Sequence, residues 1–421
     1  MKIGVIGSGG AGLTVSWLLQ GHHEVTLFEK ENRLGGHADT VEVEQDDEIF
    51  PIDAGFEFFY DAMFTRFNRL LFLIGAAVHK FPASVTLYDS THRRTTLLPP
   101  FNRERIVWSA YNPRAIGELL RFQRVISQSI PLIDRGDPFI TVKEYLNTLN
   151  LSEDFLSNFL YPFLLAEWCV ELEEFKTFSA YNVLKYIVTS RPQNLQGIVY
   201  ASEVVGGTRA YVKAMQAQLT QTRILMSSDI THLSQTDKQF TVHDANSGSH
   251  TFDHLIIATS AAQASSFLKP FAWAEKRRDD LDRISYFKTT IAVHSDPRLM
   301  PANPDHWSVV NTRYETTHSS NTFYKKWRSK RPIFRSWVTY DQEMPTSLYH
   351  IRTYDHLKIT LEHFRAQRNL IPQQGENNLW LAGLYMHDID CHESAVMSAV
   401  NVAQKLDPQS DNLRKLLEST E

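Results

Sequence analysis

The stretch KIGVIGSGGAGLTVSWLLQ, residues 2–20, joins an apolar run to a glycine-rich turn and then to a helical pattern. The run at residues 2–6 is typical of a buried parallel strand, and the residues after the turn carry an apolar stripe at helical spacing. In this G-x-G-x-x-G, Gly7 permits the tight turn, Gly9 lets backbone approach a pyrophosphate, and Gly12 lets the helix pack on the strand. The pattern predicts a dinucleotide cradle in a Rossmann-type α/β fold. The alternative is a glycine-rich turn that binds nothing.

An acidic residue stands at the end of the next predicted strand. Residues 24–28 are apolar enough for a second buried strand, and Glu29 follows directly. A carboxylate at this point can accept a hydrogen bond from the ribose 2′-hydroxyl of a dinucleotide. The predicted cradle therefore also includes Gly10 and Ala11 at the start of the helix, and Lys30 beside the acid.

A glycine pair follows Glu29 in the segment ENRLGGH, residues 31–37. An acid followed by R-x-G-G and a basic residue resembles the flavin-binding amine oxidase and phytoene desaturase superfamily, whose members carry this pattern on FAD. The resemblance implies that Arg33, Gly35, Gly36 and His37 line the ribityl and pyrophosphate region of FAD. His37 stands where the superfamily usually has arginine.

The same resemblance assigns further cofactor contacts along the chain. It implies that Gly55 and Phe56 lie beside the isoalloxazine ring and that Ile230 lies on a strand next to the adenine. Residues 253–259 match a D-x-x-I-x-A-T strand that ends at Thr259. The last long helix would point its N-terminus at the flavin. That end of the site is expected to contain Gly383, Glu393, Ser394, Ala395 and Val396, the last four through backbone amides.

The segment FKTTIAVHSDPRLMP, residues 287–301, and the following C-terminal half look like a bacterial branch of predicted FAD-binding oxidoreductases. The substrates expected in that branch are lipid-like. The resemblance is strong at both ends of the chain and loose between residues 88 and 202.

These segments predict an α/β protein with a discontinuous Rossmann-type FAD-binding domain and an inserted α+β substrate domain. The FAD-binding domain is expected at 1–80, 203–270 and 372–408, the substrate domain at 81–202 and 271–371, and a loose polar tail at 409–421. An aromatic and aliphatic helical stripe at residues 155–164 is interpreted as core, as the wall of an apolar tunnel, or as a helix on a membrane surface.

Composition limits the partners. The chain has 421 residues, 43% of them hydrophobic, and a formal charge of −5, which gives no basic field for nucleic acid. A local basic cluster at residues 325–335 is interpreted as a solvated face or as a patch for anionic head groups. Two cysteines, no signal sequence and no spanning apolar run indicate a cytoplasmic protein, with peripheral contact to the inner membrane surface open.

The chemistry is expected to come from noncovalent FAD, which accepts a hydride at N5. Aromatic residues near 155–168 and the lack of an obvious amine-clamping acid favour a hydrophobic, lipid-like substrate. An amine oxidase and a catalytically silent flavin-bound partner protein are the alternatives. Oligomeric state and electron acceptor stay open.

No catalytic residue is assigned from the sequence. Tyr385, His387 and His392 lie near the expected flavin end, with a structural or a chemical role equally open. Asp390 and Cys391 lie in the same segment as these histidines and could in principle bind a metal with them. Their spacing would require a loop, and no second group of ligands is evident, so no metal is predicted.

Overall fold

The computed structural model describes residues 1–99, 101–102, 105–191, 198–246 and 248–418. Within these residues the strands are β1 Lys2–Ile6, β2 Glu24–Phe28, β3 Thr40–Gln45, β4 Glu48–Asp53, β5 Val78–Pro82, β6 Val85–Asp89, β7 Arg94–Leu97, β8 Phe101–Asn102, β9 Arg105–Ile106, β10 Tyr200–Val204, β11 Thr222–Leu225, β12 Ile230–Thr236, β13 Gln239–Asp244, β14 Ser249–Phe252, β15 His254–Ile257, β16 Tyr286–His294, β17 Val310–Tyr314, β18 Ser319–Tyr324, β19 Phe334–Trp337, β20 Leu348–Leu357 and β21 Leu379–Leu381.

The α-helices alternate with these strands at both ends of the chain and cluster between β9 and β10. They are α1 Gly10–Leu19, α2 Thr65–Ile74, α3 Pro113–Arg135, α4 Val142–Thr148, α5 Glu153–Phe155, α6 Tyr161–Leu165, α7 Leu172–Phe175, α8 Ala180–Thr189, α9 Thr208–Gln218, α10 Ala261–Leu268, α11 Glu275–Asp282, α12 Leu361–Leu370, α13 His392–Leu406 and α14 Asp411–Leu417.

A five-stranded parallel sheet in the order β11-β2-β1-β15-β21 draws its strands from three separate parts of the sequence. Every residue of α1 is buried, as expected for the first helix of a doubly wound fold that packs between the sheet and a further helix, here α13. The structure thus confirms the α/β class and the discontinuous Rossmann-type arrangement.

A second, seven-stranded sheet in the order β20-β16-β19-β18-β17-β6-β7 is antiparallel except for the β17–β6 pair. The β5–β10 pair is antiparallel. The domain boundaries predicted near residues 80 and 203 fall within these two strands. The exact domain limits remain a prediction.

Local sequence explains the elements between β2 and the connection. The β3–β4 hairpin turns at Asp46 and Asp47, whose φ values of 51° and 61° suit a primed turn. Helix α2 buries an apolar face and ends at Gly75, which has a φ of 75°.

The stripe at residues 155–164 is core. Phe155, Phe159 and Leu160 are buried in the largest apolar cluster. A π turn at Leu156–Leu160 lies between α5 and α6, directly before Pro162, which cannot donate a backbone hydrogen bond. The expectation of a helix on a membrane surface is therefore wrong for this segment.

The predicted loose tail at 409–421 is wrong for residues 411–417, which form α14. Leu413 and Leu416 are 3% and 0% exposed, and Ser410 caps the helix. The helix packs on α1 and α2. Two buried leucines are enough to anchor it, although its other residues are polar. Residues 419–421 lie outside the described part of the chain.

The basic cluster at 325–335 is not one solvated face. Lys325 is 5% exposed and lies 3.0 Å from Glu57 and 2.8 Å from Glu203. Arg328 also contacts Glu203, at 2.6 Å. Burial would raise the pKa of Glu203, but the two cations lower it to about 2. Among the basic residues of the cluster, Lys326, Lys330 and Arg331 are exposed.

Candidate functional site

The glycines of the first turn have distinct surroundings. Gly7 has a φ of +100°, and a Cβ there would lie 2.7 Å from the Ala258 carbonyl oxygen. A Cβ on Gly12 would overlap the Gly7 carbonyl. A Cβ on Gly9 would meet no atom within 4 Å. Packing therefore requires the outer two glycines, whereas the middle one faces open space.

Two helix N-termini meet beside this open space. Neither Gly9, the N-cap of α1, nor Cys391, the N-cap of α13, makes a side-chain cap hydrogen bond. A Cβ on Gly10 would lie 2.5 Å from His392 Cε1, so the two helices begin side by side. Uncapped amides and aligned dipoles make this groove favourable for anions.

Glu29 directs its carboxylate at the glycine turn. It accepts hydrogen bonds from the backbone nitrogen of Ser8 at 3.0 Å, from Ser8 Oγ at 2.5 Å and from the Glu31 amide at 2.9 Å. The Glu29 carbonyl accepts from the Ser228 amide at 2.9 Å, two residues before Ile230. Ile230 is 8% exposed at the start of β12, and Lys30 is exposed.

The R-x-G-G segment lies against the same turn. The Gly35 amide donates to the Ser8 carbonyl at 3.0 Å, and a Cβ on Gly36 would lie 3.3 Å from Gly9 Cα. Arg33 donates to the Gly36 carbonyl at 3.0 Å. The segment is thus held by backbone contacts to the cradle that it was predicted to extend.

His37 joins this segment to the predicted isoalloxazine neighbours. The Phe56 amide donates to the His37 carbonyl at 2.9 Å, and a Cβ on Gly55 would overlap that carbonyl. The Phe56 ring stacks on His392 with centroids 4.6 Å apart. A continuous chain of contacts therefore runs from Gly55 and Phe56 to the beginning of α13.

Thr259 and Gly383 close the groove at the other edge of the turn. A Cβ on Gly7 would lie 3.1 Å from Thr259 Cγ2. Gly383 has a φ of +151°, and its amide donates to Ser398 Oγ at 2.9 Å. Both residues follow strands of the parallel sheet, whose carboxyl ends form the usual ligand crevice of this fold.

The beginning of α13 differs from the prediction in detail. The amides of Ser394 and Ala395 donate to the Cys391 carbonyl, and Val396 lies fully buried within the helix. The Glu393 carboxylate caps α2 by accepting from the Arg66 and Phe67 amides, both at 2.8 Å. The amides left at the helix terminus are those of His392 and Glu393.

Three histidines share one recess. Burial lowers the pKa of His37, and it lowers the pKa of His356 to about 3 and that of His392 to about 4. Electrostatic repulsion from His37 contributes to the shifts of His356 and His392. His37 and His356 stack at 6.1 Å, and Trp337 and Phe287 lie 5.6 and 5.7 Å from the His356 ring. The recess is aromatic, and its histidines are neutral at pH 7.

Two carboxylic acids lie near this recess: Glu167, which the sequence reasoning missed, and Asp390, which it considered only as a metal ligand. Burial raises the pKa of Glu167 to about 7 and that of Asp390 to about 7. Asp390 accepts hydrogen bonds from Trp168 Nε1 at 3.2 Å and Asn182 Nδ2 at 2.9 Å. The available signal was an acid in the apolar run LLAEWC, because an isolated acid there is either unpaired or functional.

The other residues near the flavin end have structural surroundings. Tyr385 is 1% exposed, and His387 Nδ1 lies 3.1 Å from Asn401 Nδ2. Burial raises the pKa of the Cys391 thiol to about 12. Within the described ranges, no group of three His, Cys, Asp or Glu side chains could hold a metal ion.

This geometry suits a dinucleotide-binding protein. Glu29, the open space at Gly9 and the predicted ring neighbours Gly55 and Phe56 follow one another along a single groove, which suits an extended FAD. A family model described as flavin containing amine oxidoreductase matches residues 11–332. The chain belongs to that family, and it is an FAD-dependent oxidoreductase.

Solved structures share the fold. The chain is similar to putrescine oxidase bound to putrescine at 13% identity, with 97% of this chain and 100% of that chain covered and a TM-score of 0.70. It is similar to a CLA-producing fatty acid isomerase from P. acnes at 12% identity, 96% and 98% coverage and a TM-score of 0.70. It is similar to cyclohexylamine oxidase from Brevibacterium oxydans IH-35A at 15% identity, 96% and 99% coverage and a TM-score of 0.67. No curated protein matches the chain in sequence.

Proposed function

We propose that the enzyme oxidises, desaturates or isomerises a hydrophobic, lipid-like substrate by hydride transfer to flavin N5. The observation that carries the proposal is the recess beside Gly55 and Phe56, which is aromatic and whose histidines are neutral at pH 7. Such a recess favours an apolar reacting segment of the substrate, because aromatic and neutral side chains offer a charge there little solvation.

The residues of the groove have separate tasks in this proposal. The uncapped terminus of α1 at Gly9 would bind the diphosphate, and Glu29 the ribose. The terminus of α13 would favour negative charge on the reduced ring. When bound, FAD supplies a two-electron acceptor, and the protein orients the substrate and excludes water.

We expect the cofactor to be held without a covalent bond. Both cysteines are buried, and burial raises the pKa of the Cys169 and Cys391 thiols to about 12. A thiol with such a pKa is protonated at neutral pH and is a poor nucleophile. Trichloroacetic acid precipitation should therefore release all of the FAD into the supernatant.

Amine oxidation is the second candidate. Glu167 supports it, because a carboxylate in an aromatic recess can hold an ammonium group. Against it, the charge of Arg335 lowers the pKa of the same carboxyl and would repel a cation. The structural neighbours include two amine oxidases and a fatty acid isomerase, so the shared fold does not favour either substrate class.

Peripheral membrane contact is proposed from the surface around the start of α3. Trp108 and Leu120 are 78% and 61% exposed, and Ile116 is 44% exposed between them. Arg114 and Arg121 are also exposed there. Exposed apolar and basic side chains together suit an anionic lipid surface. No helix in the described part of the chain is long and apolar enough to cross a membrane.

Anaerobic mixing of the holoprotein with candidate substrates tests the proposed function. We expect unsaturated fatty acids to bleach the flavin absorbance, or to be converted to positional isomers, whereas aliphatic amines do neither. Bleaching by amines alone would establish amine oxidation. If neither class changes the flavin spectrum or is converted, the catalytically silent partner is favoured.

A further inference from the structure

Glu167 differs from its sequence neighbours in accessibility. Ala166 and Trp168 are 0% and 4% exposed, yet the Glu167 side chain is accessible. Burial nevertheless raises its pKa to about 7. A side chain that is accessible but strongly desolvated must line an enclosed recess and not the outer surface.

The Glu167 carboxylate has no fixed partner. Across the described residues, no side chain or backbone amide donates a hydrogen bond to it, and no cation lies within ion-pair distance. The other acids nearby are all engaged. Glu57 and Glu203 contact Lys325, and Asp53 accepts from the Thr208 amide at 2.7 Å. A desolvated acid without a partner is costly unless it serves a ligand.

Arg335 connects this carboxylate to the predicted flavin ring. The Arg335 guanidinium donates to the Gly55 carbonyl at 3.1 Å and to the Ala54 carbonyl at 3.3 Å. The positive charge of Arg335 lowers the pKa of Glu167. The negative charge of Glu167 in turn helps to raise the pKa of Tyr60. Trp168, the next residue in sequence, donates through Nε1 to Asp390 at 3.2 Å, which places the segment of Glu167 beside the start of α13.

We propose that Glu167 is the catalytic proton acceptor of the substrate recess. The proposal rests on the proposed function and gives that site its acid–base group. As a substrate carbon loses a hydride, positive charge develops there and the C–H bonds of the adjacent carbon become acidic. An unpaired carboxylate in a dry recess is suited to take that proton.

The step balances for a desaturation. Glu167 removes a proton from one carbon, and the electron pair of that C–H bond becomes the second bond of a C=C. The neighbouring carbon loses its hydrogen with both electrons to the FAD. Glu167 ends as a neutral acid, the substrate has lost two hydrogens, and the cofactor is reduced by two electrons. Return of the proton and the hydride at different carbons would complete an isomerisation.

The rate should follow the ionisation of Glu167. Burial raises its pKa and the Arg335 charge opposes this, with Tyr60 and Tyr186 as the neighbouring titratable groups. Tyr186 also contacts Asp390, whose pKa is about 7 as well. A base must be ionised, so substrate-dependent reduction should increase with pH and level off above about 7.

The first test needs no substrate. A pH titration of the holoprotein absorbance should show an ionisation near 7 that Glu167→Gln removes and that the exposed-site control Glu171→Gln keeps. Asp390→Asn tests whether the ionisation belongs instead to Asp390, the other acid with a pKa of about 7.

The stability of the apoprotein gives a second readout. Because the pKa of Glu167 is raised in the folded state, stability is lost as pH rises from about 4.5 through about 7. The Tm of Glu167→Gln relative to wild type should therefore be higher at about pH 8.5 than at about pH 5.5. An unchanged ionisation in Glu167→Gln would overturn the assignment.

The second test follows flavin reduction by the active lipid under anaerobic conditions. Glu167→Gln should slow reduction by about 100-fold or more and remove the pH dependence, whereas Glu167→Asp should keep a pH-dependent limb. The same pH profile in wild type and Glu167→Gln would overturn the role of Glu167. If no lipid reduces the flavin or is converted by either protein, the proposed function is instead contradicted. An increased KM for amines alone would identify Glu167 as an ammonium clamp and overturn the proton-acceptor role.

Discussion

Gly9 and Gly12 belong to one turn but have opposite physical surroundings. A Cβ on Gly9 meets open space, and its φ of −65° suits any residue, whereas a Cβ on Gly12 overlaps the Gly7 carbonyl. The fold therefore requires glycine at position 12, whereas Gly9 is free to approach the predicted ligand.

Substitution at these two positions should separate binding from stability. Gly9→Ala is expected to change the unfolding free energy of the apoprotein by less than about 0.5 kcal/mol. It should weaken FAD binding at least tenfold, about 1.4 kcal/mol, because the methyl group occupies the diphosphate space.

Gly12→Ala is the matched control and should destabilise the apoprotein by about 1–3 kcal/mol through overpacking. Denaturant unfolding and FAD titration measure both quantities. Normal FAD affinity in Gly9→Ala would show that the diphosphate does not lie there.

The sequence was informative at residues whose role depends on backbone shape. Gly7 and Gly12 could be predicted because the tight turn and the close packing of helix on strand require glycine at these positions. Glu167 could not, because its desolvation and its Arg335 neighbour come from segments distant in sequence. Composition also left open whether His392 is charged, and only its burial against Phe56 and Phe67 makes it neutral.

At the scale of elements, the loop after β18 is anchored by buried ion pairs. Lys325 lies between Glu57 and Glu203, with 3% of its side chain exposed, whereas Lys330 pairs with Glu48 at the surface. Charged residues in a short run were expected to be solvated. The two acids that bury Lys325 are more than 100 positions away in the chain, which the local pattern does not indicate.

Removing Lys325 should leave the buried carboxylates of Glu57 and Glu203 with one cation fewer, while Arg335 and Arg328 still pair with them. Lys325→Ala is expected to cost about 3–5 kcal/mol, compared with less than about 1 kcal/mol for Lys330→Ala. Chemical denaturation of both variants measures the difference. Equal and small losses would mean that water penetrates the cluster and replaces the ion pairs.

Helix α14 should contribute to the stability of the FAD-binding part despite its polar sequence. Leu416 is fully buried, so Leu416→Ala is expected to cost about 2–5 kcal/mol, whereas the exposed Arg414→Ala should cost less than about 0.5 kcal/mol. Thermal unfolding would detect the contrast. A Leu416→Ala variant as stable as wild type would support the original prediction of a loose tail.

At the scale of the whole molecule, the sequence predicted the parallel sheet because β1, β2 and β15 are largely buried and read as apolar runs. The seven-stranded sheet was less predictable. Its strands pair across long sequence distances, as β6 with β17 does, and their alternation is weak.

The exposed surface around α3 gives the prediction for membrane contact. The double variant Trp108→Ser/Leu120→Ser should reduce cosedimentation with anionic phosphatidylserine vesicles several-fold, and binding should weaken as salt is raised. Phe72→Ser, which removes an equally exposed aromatic ring on α2, is the control. Equal binding by all three proteins would exclude α3 as the membrane-contacting surface.

The central claim is that three separate parts of the chain form one groove for FAD, with its ring facing an aromatic recess. A crystal structure of the FAD complex tests it most directly. We predict cofactor density that runs from Glu29, across Gly9, to the isoalloxazine ring beside Gly55 and Phe56, with Glu167 facing the recess next to the ring. Density in which the ring lies away from Gly55, or the diphosphate away from Gly9, would contradict the account.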